Sequence, residues 1–285
     1  MFGTYGVVKP SASARSLPAD VERIRDDILT CGLAIVPGLL SGDEVAVLNE
    51  RMDATYAVQC EEVGGEAQLA KMNDADNVRC LLAYDDAFLK LAQHPLLTAA
   101  ARAVLGDNVV LLMQNGVINR PHRLQYQTNW HRDLNYQHWV STKPLAMSAL
   151  VCLEDFNPTT GGTVFLPGTQ RDEDFPPDER VEALSFAPDA PAGSVFLFDS
   201  MVFHRAGVNR SDRIRRGVNH VFGVPILGQQ VDIPAMLDRA PPDDPWLAAY
   251  LGYRWNAVKD VASWRLRKIA LSAGDGAVKI STSGG

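Results

Sequence analysis

The chain has 285 residues, 46% of them hydrophobic and 21% charged, with a net charge of −7, enough to bury a sizeable core in one large domain or two small ones. Acidic and basic residues are interspersed, so there is no concentrated basic face of the kind that neutralises nucleic-acid phosphates. No apolar run approaches the roughly 20 residues that span a bilayer, no apolar leader follows Met1, and the four cysteines form no CxxC pair, which together predict a soluble cytoplasmic protein with reduced thiols, free of membrane and of thiolate-bound zinc.

Residues 1–17, rich in Ser, Pro and Gly, read as a flexible arm ahead of a single domain over 18–285. That domain divides into helical support (18–105), a β core (107–226) and a helical tail (227–271). From Pro18, Val21, Ile24, Ile28 and Leu29 recur at helical spacing, and Gly32 supplies a stop. "LAIVPG" follows as a short buried strand. Ser41 and Glu44 make a capping-box pattern before Val45, Leu48 and Met52, and a further helix runs from Pro95 to Leu105 with Gly106 behind it. After Gly106 come short β-rich runs, "NVVLLMQNGVIN", "PLAMSALVCLED", "GGTVFLPGT", "GSVFLFDS" and "RRGVNHVFGVPI", separated by Gly, Pro, Asn and Asp. None alternates with a long helix. The fold class is therefore mainly β with flanking helices, an antiparallel sandwich or barrel. Trp246, Trp255 and Trp264 read as packing residues of the tail.

"NWHRDLNYQHW" (129–139) holds the first candidate site. On a strand, His131 and Asp133 project from one face and can converge on one ion. Alone, that pair is a weak signal. His204 ends a later strand-like run, and two histidines with one carboxylate are the facial set of non-haem Fe(II) oxygenases, with three coordination positions left open. Those positions suit a chelating 2-oxo acid and O2. A 2-oxo acid with a second carboxylate also needs a fixed cation, and Arg213, Arg215 and Arg216 all follow His204. Arg213 and Arg215 share a strand face, with Arg216 opposite.

Three motifs in this order, "WHRD", "LPGTQ" and "HRAGVNRSDRIRR", together with "GLAIVPGLLSGDEVAVLNERM" and "HPLLTAAARAVLG", make residues 20–225 resemble the phytanoyl-CoA dioxygenase family of Fe(II)/2-oxoglutarate-dependent oxygenases. The resemblance implies a double-stranded β-helix (jelly roll) and Fe(II), 2-oxoglutarate and O2 as the reacting partners of a small-molecule substrate. It implies His131, Asp133 and His204 as catalytic iron ligands and Arg215 as the 2-oxoglutarate anchor, with Arg213 as fallback. Gln114 lies on a strand that in the family lines the cosubstrate pocket. Gln170 replaces the histidine that usually follows the Pro-Gly-Ser/Thr turn, and Ala206 stands where a serine often touches the cosubstrate. The presence of Asp133 favours hydroxylation over halogenation.

Asn129, two places before His131, is a further candidate for the cosubstrate pocket. Tyr136, His138 and Trp139 follow Asp133 into the mouth of the barrel and are candidates for the substrate wall. Arg79 reads as a surface charge and Asn119 as a turn residue. The competing reading is a cupin-like metal-binding protein or isomerase without O2 chemistry. Substrate identity and oligomeric state are left open.

Overall fold

The computed structural model describes residues 19–123, 126–255 and 257–274; the arm expected over 1–17 lies outside them. Helix α1 (Ala19–Cys31) buries Val21, Ile24 and Ile28. Gly32 ends it at φ +82°, where a Cβ would stand 2.5 Å from Val202 Cγ2 and 2.6 Å from Gln170 Oε1, so neither backbone nor space admits a side chain. Strand β1 (Leu33–Val36) follows. Helix α2 (Gly42–Glu62) opens on the predicted capping box: the Ser41 N–H donates to Glu44 Oε2 at 2.8 Å and the Glu44 N–H to Ser41 Oγ at 3.4 Å. Helix α3 (Glu66–Lys71), strand β2 (Asn77–Val78) and helix α4 (Asp86–Ala92) lead to α5 (Pro95–Leu105), where Pro95 sits in the first turn and His94 Nδ1 accepts the Leu96 N–H at 3.2 Å.

The remaining strands are β3 (Val110–Asn119), β4 (Ala146–Cys152), β5 (Val164–Phe165), β6 (Val195–Asp199), β7 (His204–Arg205) and β8 (Arg215–Gly223), with α6 (Asp178–Leu184) between β5 and β6. They form a six-stranded sheet, β1-β6-β4-β8-β3-β2, and a two-stranded sheet, β5-β7, all antiparallel. This is the jelly-roll architecture with helices outside it. The sheet reaches further along the chain than residues 107–226, because β1 and β2, both from the helical N-terminal part, form its two edges. The joint between α1 and β1 is also tied inward: the Asp199 N–H donates to the Gly32 carbonyl at 2.9 Å and the Gly168 N–H to the Cys31 carbonyl at 2.8 Å.

Alternation along each strand separates two interiors. Met147, Ala149 and Val151 of β4, Val195 and Leu197 of β6, and Val218 and Phe222 of β8 pack with α1, α2, α4 and α5 in the larger cluster. Leu150, Cys152, Phe196 and Phe198 face the other way and meet Phe165 of the small sheet, whose ring lies 5.4 Å from Phe196 and 5.2 Å from Phe198. The inward face between the sheets holds the site.

Helices α7 (Ile233–Leu237), α8 (Pro245–Tyr250) and α9 (Val261–Gly274) make the tail. Trp246 stacks on Tyr250 at 5.2 Å, and Trp255 joins the cluster of Leu112, Leu134 and Val221. Trp264, expected to pack, is instead exposed along with Val261, Leu266 and Ile269. No helix among the described residues is long and apolar enough to cross a membrane.

Candidate metal centre

His131 and Asp133 do not lie on a regular strand. His131 makes one antiparallel bridge with His204, each N–H donating to the other's carbonyl at 3.0 Å, and the chain then bends. Asp133 is set by its N–H, which donates to the Ser200 carbonyl at 3.0 Å. The convergence predicted from strand geometry is present, but a bridge between residues distant in sequence produces it.

The two imidazoles are held alike. His131 Nδ1 lies 2.9 Å from the Asn129 carbonyl, and His204 Nδ1 lies 3.0 Å from the Val202 carbonyl. A carbonyl only accepts, so Nδ1 carries the proton in each ring and Nε2 is turned to the centre. His204 Nε2 lies 3.6 Å from Asp133 Oδ1, and one ligand atom from each of the three residues falls within 4.8 Å of the others. Burial and the neighbouring His204 lower His131 to about 4 against the pull of Asp133. Burial would raise Asp133, but His204, His131 and the Ser148 hydroxyl outweigh it and hold the carboxylate at about 2. Burial lowers His204, and Asp133 more than reverses this. A bound cation would compete with that proton.

Arg132, between the two residues, points away and is buried. Its guanidinium donates to the carbonyls of Met201 at 2.8 Å, Glu173 at 3.1 Å and Thr169 at 3.2 Å, and to that of Asp172. Thr169, in the "LPGTQ" turn, accepts the Phe203 N–H at Oγ1 at 3.0 Å, which seats the residue before His204. Ser148 of β4, fully buried, donates from Oγ to Asp133 Oδ2 at 2.5 Å and lies 2.8 Å from Ser200 Oγ. The sequence reading missed Ser148. Its signal was a lone hydroxyl in an apolar strand, which needs a partner when buried.

His131 and Asp133 line two spaces, and His204 lines the inner one. The inner chamber has Leu150, Thr163, Phe198 and Ala206 in its walls and Arg215 at one side. Arg215 is 2% exposed, with its guanidinium 4.1 Å above the Phe156 ring. Its Nε has no partner, and no described carboxylate lies within ion-pair distance of it. Burial lowers its pKa to about 10, opposed by Cys152 and Glu154, so it is charged at neutral pH. Arg216 faces the opposite way, paired with Asp53 and Glu154 at 2.8 Å each. Arg213 precedes β8, is exposed and does not line the chamber, so the structure removes the fallback.

The outer cleft has a volume of about 360 Å³ and carries Met113, Asn115, Tyr136, Asn219 and Gln230. Arg79 lines it too, contrary to the surface reading, with its guanidinium tied to Asp74 through Nε at 3.1 Å. Five other residues sit differently from the sequence expectation. Gln114 lies on the helix-facing side of β3, fully buried, where its Nε2 donates to the Phe88 carbonyl at 2.8 Å and meets His220 Nε2 at 2.9 Å; its neighbours Met113 and Asn115 face the cleft instead. The Asn129 side chain is exposed, and the residue serves through its carbonyl. A turn closed by the Gln137 N–H on the Leu134 carbonyl at 3.0 Å sends His138 and Trp139 outward, and neither lines the cleft. Asn119 is no turn residue; it ends β3, buried, and donates to the carbonyls of Gly161 at 3.3 Å and Gly207 at 3.0 Å.

A family model described as phytanoyl-CoA dioxygenase (PhyH) matches residues 30–217. An uncharacterised protein of Mycobacterium tuberculosis is 28% identical over 221 residues, covering 74% of this chain and 78% of its own. Among solved structures, EctD from S. alaskensis with 2-oxoglutarate and 5-hydroxyectoine aligns with a TM-score of 0.63 at 20% identity, over 80% of this chain and 83% of that one. The epimerase SnoN with Fe3+, alpha ketoglutarate and nogalamycin RO aligns with a TM-score of 0.55 at 22% identity, over 79% and 92%.

Proposed function

This chain belongs to the phytanoyl-CoA dioxygenase family, and on that premise we propose that it is a non-haem iron(II)/2-oxoglutarate-dependent oxygenase acting on a small or medium-sized organic metabolite. The observation that carries the reading is Arg215: a buried, charged guanidinium without a counter-ion among the described residues, bordering the same chamber as His131, Asp133 and His204. An unpaired buried charge costs several kcal/mol, so the chamber suits an anion that the described residues do not supply. A dicarboxylate bound at one end by the triad's metal and at the other by the guanidinium fork meets that need. The alternative of a metal protein without O2 chemistry leaves Arg215 unexplained.

His131 and His204 would offer Nε2, and Asp133 one carboxylate oxygen, to iron(II). When bound, iron and 2-oxoglutarate supply O2-dependent oxidation of a C–H bond, with succinate and CO2 as coproducts. The chain's own residues orient and exclude. Phe198 and Leu150 line the chamber, and Arg215 fixes the far carboxylate. The outer cleft would admit the organic substrate. Six amide residues line it, Asn77, Asn115, Gln127, Asn135, Asn219 and Gln230; Asn77, Asn115 and Gln230 also bond within the fold, and its two arginines are engaged by Asp74 and by backbone carbonyls. That lining favours an uncharged, hydrogen-bonding metabolite over a coenzyme A thioester, whose phosphates call for free cations. Hydroxylation is the proposed outcome. The EctD and SnoN structures, one with 5-hydroxyectoine and one an epimerase, leave room for a reaction other than hydroxylation.

The test is succinate release under air with Fe(II), ascorbate and 2-oxoglutarate. The wild-type protein forms succinate and His131→Ala does not. If 2-oxoglutarate decays no faster with the wild-type protein than without it, the proposal is wrong.

A further inference from the structure

Asp133 is held by one pair of serines, Ser200 at its backbone and Ser148 at its carboxylate. Its N–H donates to the Ser200 carbonyl at 3.0 Å, and its Oδ2 accepts the Ser148 hydroxyl at 2.5 Å. The hydroxyls of Ser148 and Ser200 are 2.8 Å apart, and both residues are fully buried. The direction of the chain follows from valence. An ionised carboxylate only accepts, so Ser148 must spend its single proton on Asp133. Ser148 Oγ is then an acceptor, and Ser200 must be the donor. With no strand to fix Asp133, this directed relay is what sets the rotation of its carboxylate.

We propose that Ser148, oriented by Ser200, is a positioning residue that restricts Asp133 to one metal-facing oxygen. Oδ1 faces His204 Nε2 at 3.6 Å, while Oδ2 is occupied by Ser148. Turning Oδ2 into the site would break that bond and strand a buried hydroxyl without a partner. Resting on the iron/2-oxoglutarate reading above, the consequence is a coordination count. Two imidazoles and one carboxylate oxygen leave three positions of an octahedron, enough for a chelating 2-oxo acid and O2. A two-oxygen carboxylate leaves two, both taken by the 2-oxo acid. The serines thus guard the position for O2 without touching the metal.

The test is titration of the metal-free protein with Co(II), whose visible d–d spectrum reports its ligand set. Ser148→Ala is expected to bind Co(II) about 10- to 100-fold more weakly, with an altered d–d spectrum as a second carboxylate oxygen replaces a solvent ligand. Ser200→Ala should move both readouts the same way by less. Ser148→Thr, which keeps the hydroxyl, should restore the wild-type spectrum. A purely structural role would lower the melting temperature of the metal-free Ser148→Ala protein and leave its Co(II) spectrum unchanged. Wild-type affinity and spectrum in Ser148→Ala would overturn the proposal, as would a folded Ser148→Thr protein with the Ala spectrum. If Ser148→Thr does not fold, Ser200→Ala decides, and an unchanged spectrum there overturns the relay. Failure of the function is separable: wild-type protein that binds Co(II) but never turns over 2-oxoglutarate with iron sinks the oxygenase reading alone. Wild-type protein that binds no Co(II) sinks both.

Discussion

Replacing Arg215 by methionine should make the ligand-free protein more stable and at the same time abolish its response to 2-oxoglutarate. Burial pulls the guanidinium from its usual 12.5 to about 10, which at about 1.4 kcal/mol per pH unit is on the order of 3 kcal/mol of uncompensated charge burial. The variant also loses the guanidinium's contact with Phe156 at 4.1 Å, worth about 1–2 kcal/mol. Methionine is unbranched and fills irregular apolar space, so the net gain should be about 1–2 kcal/mol. The assay is urea unfolding of both metal-free proteins, repeated with Mn(II) and with Mn(II) plus 2-oxoglutarate, to avoid iron oxidation. Wild-type stability should rise on adding 2-oxoglutarate as ligand linkage requires, whereas the variant should start higher and stay flat. A variant that is less stable than wild type and gains as much from 2-oxoglutarate would refute the reasoning, because Arg215 would then have a partner within the fold.

Gln114→Leu should leave the 2-oxoglutarate requirement unchanged and lower stability by about 1–3 kcal/mol, because the Phe88 carbonyl and His220 lose their buried partner; a raised KM for 2-oxoglutarate would return Gln114 to the cosubstrate site. Asp199 is a buried carboxyl that burial raises to about 6, against the Met201 N–H and Arg132. The folded state therefore binds its proton more tightly than the unfolded state, and the stability it contributes below pH 4 is lost as pH rises through 6. Asp199→Asn should remove that part of the pH dependence and be more stable at pH 7 by up to about 3 kcal/mol, measured by denaturant unfolding at pH 4, 5, 6 and 7. Ser41→Ala should lower stability by about 1 kcal/mol through loss of the α2 cap, readable by the same unfolding assay and without effect on metal binding.

What the sequence made legible is what local chemistry dictates. The Ser41–Glu44 pair and Pro95 mark helix starts because their side chains act on backbone within one turn. The strand runs were visible through β-branched and aromatic residues between turn formers. The triad was visible through residue type, since few arrangements bring two histidines, an aspartate and a trailing arginine together in that order. What escaped depends on register and on distant partners. Gln114 and Asn115 are adjacent amides on one strand, and nothing local says which faces the cleft. The answer lies in the pairing of Asn115 with Asn219 across β8. The Ser148 hydroxyl has its partners at Asp133 and Ser200, both remote in the chain.

The two edges of the large sheet have a practical consequence. A fragment trimmed to residues 107–226 would keep every proposed metal ligand and Arg215, yet it would lack β1 and β2. The flanks of β6 and β3 would then present unsatisfied N–H and C=O groups, a template for strand addition between copies. The carbonyls of Cys31 and Gly32, which receive the Gly168 and Asp199 amides, would go with them. Such a truncation should precipitate as cross-paired strands before its chemistry could be assayed, so the smallest workable catalytic unit begins at α1.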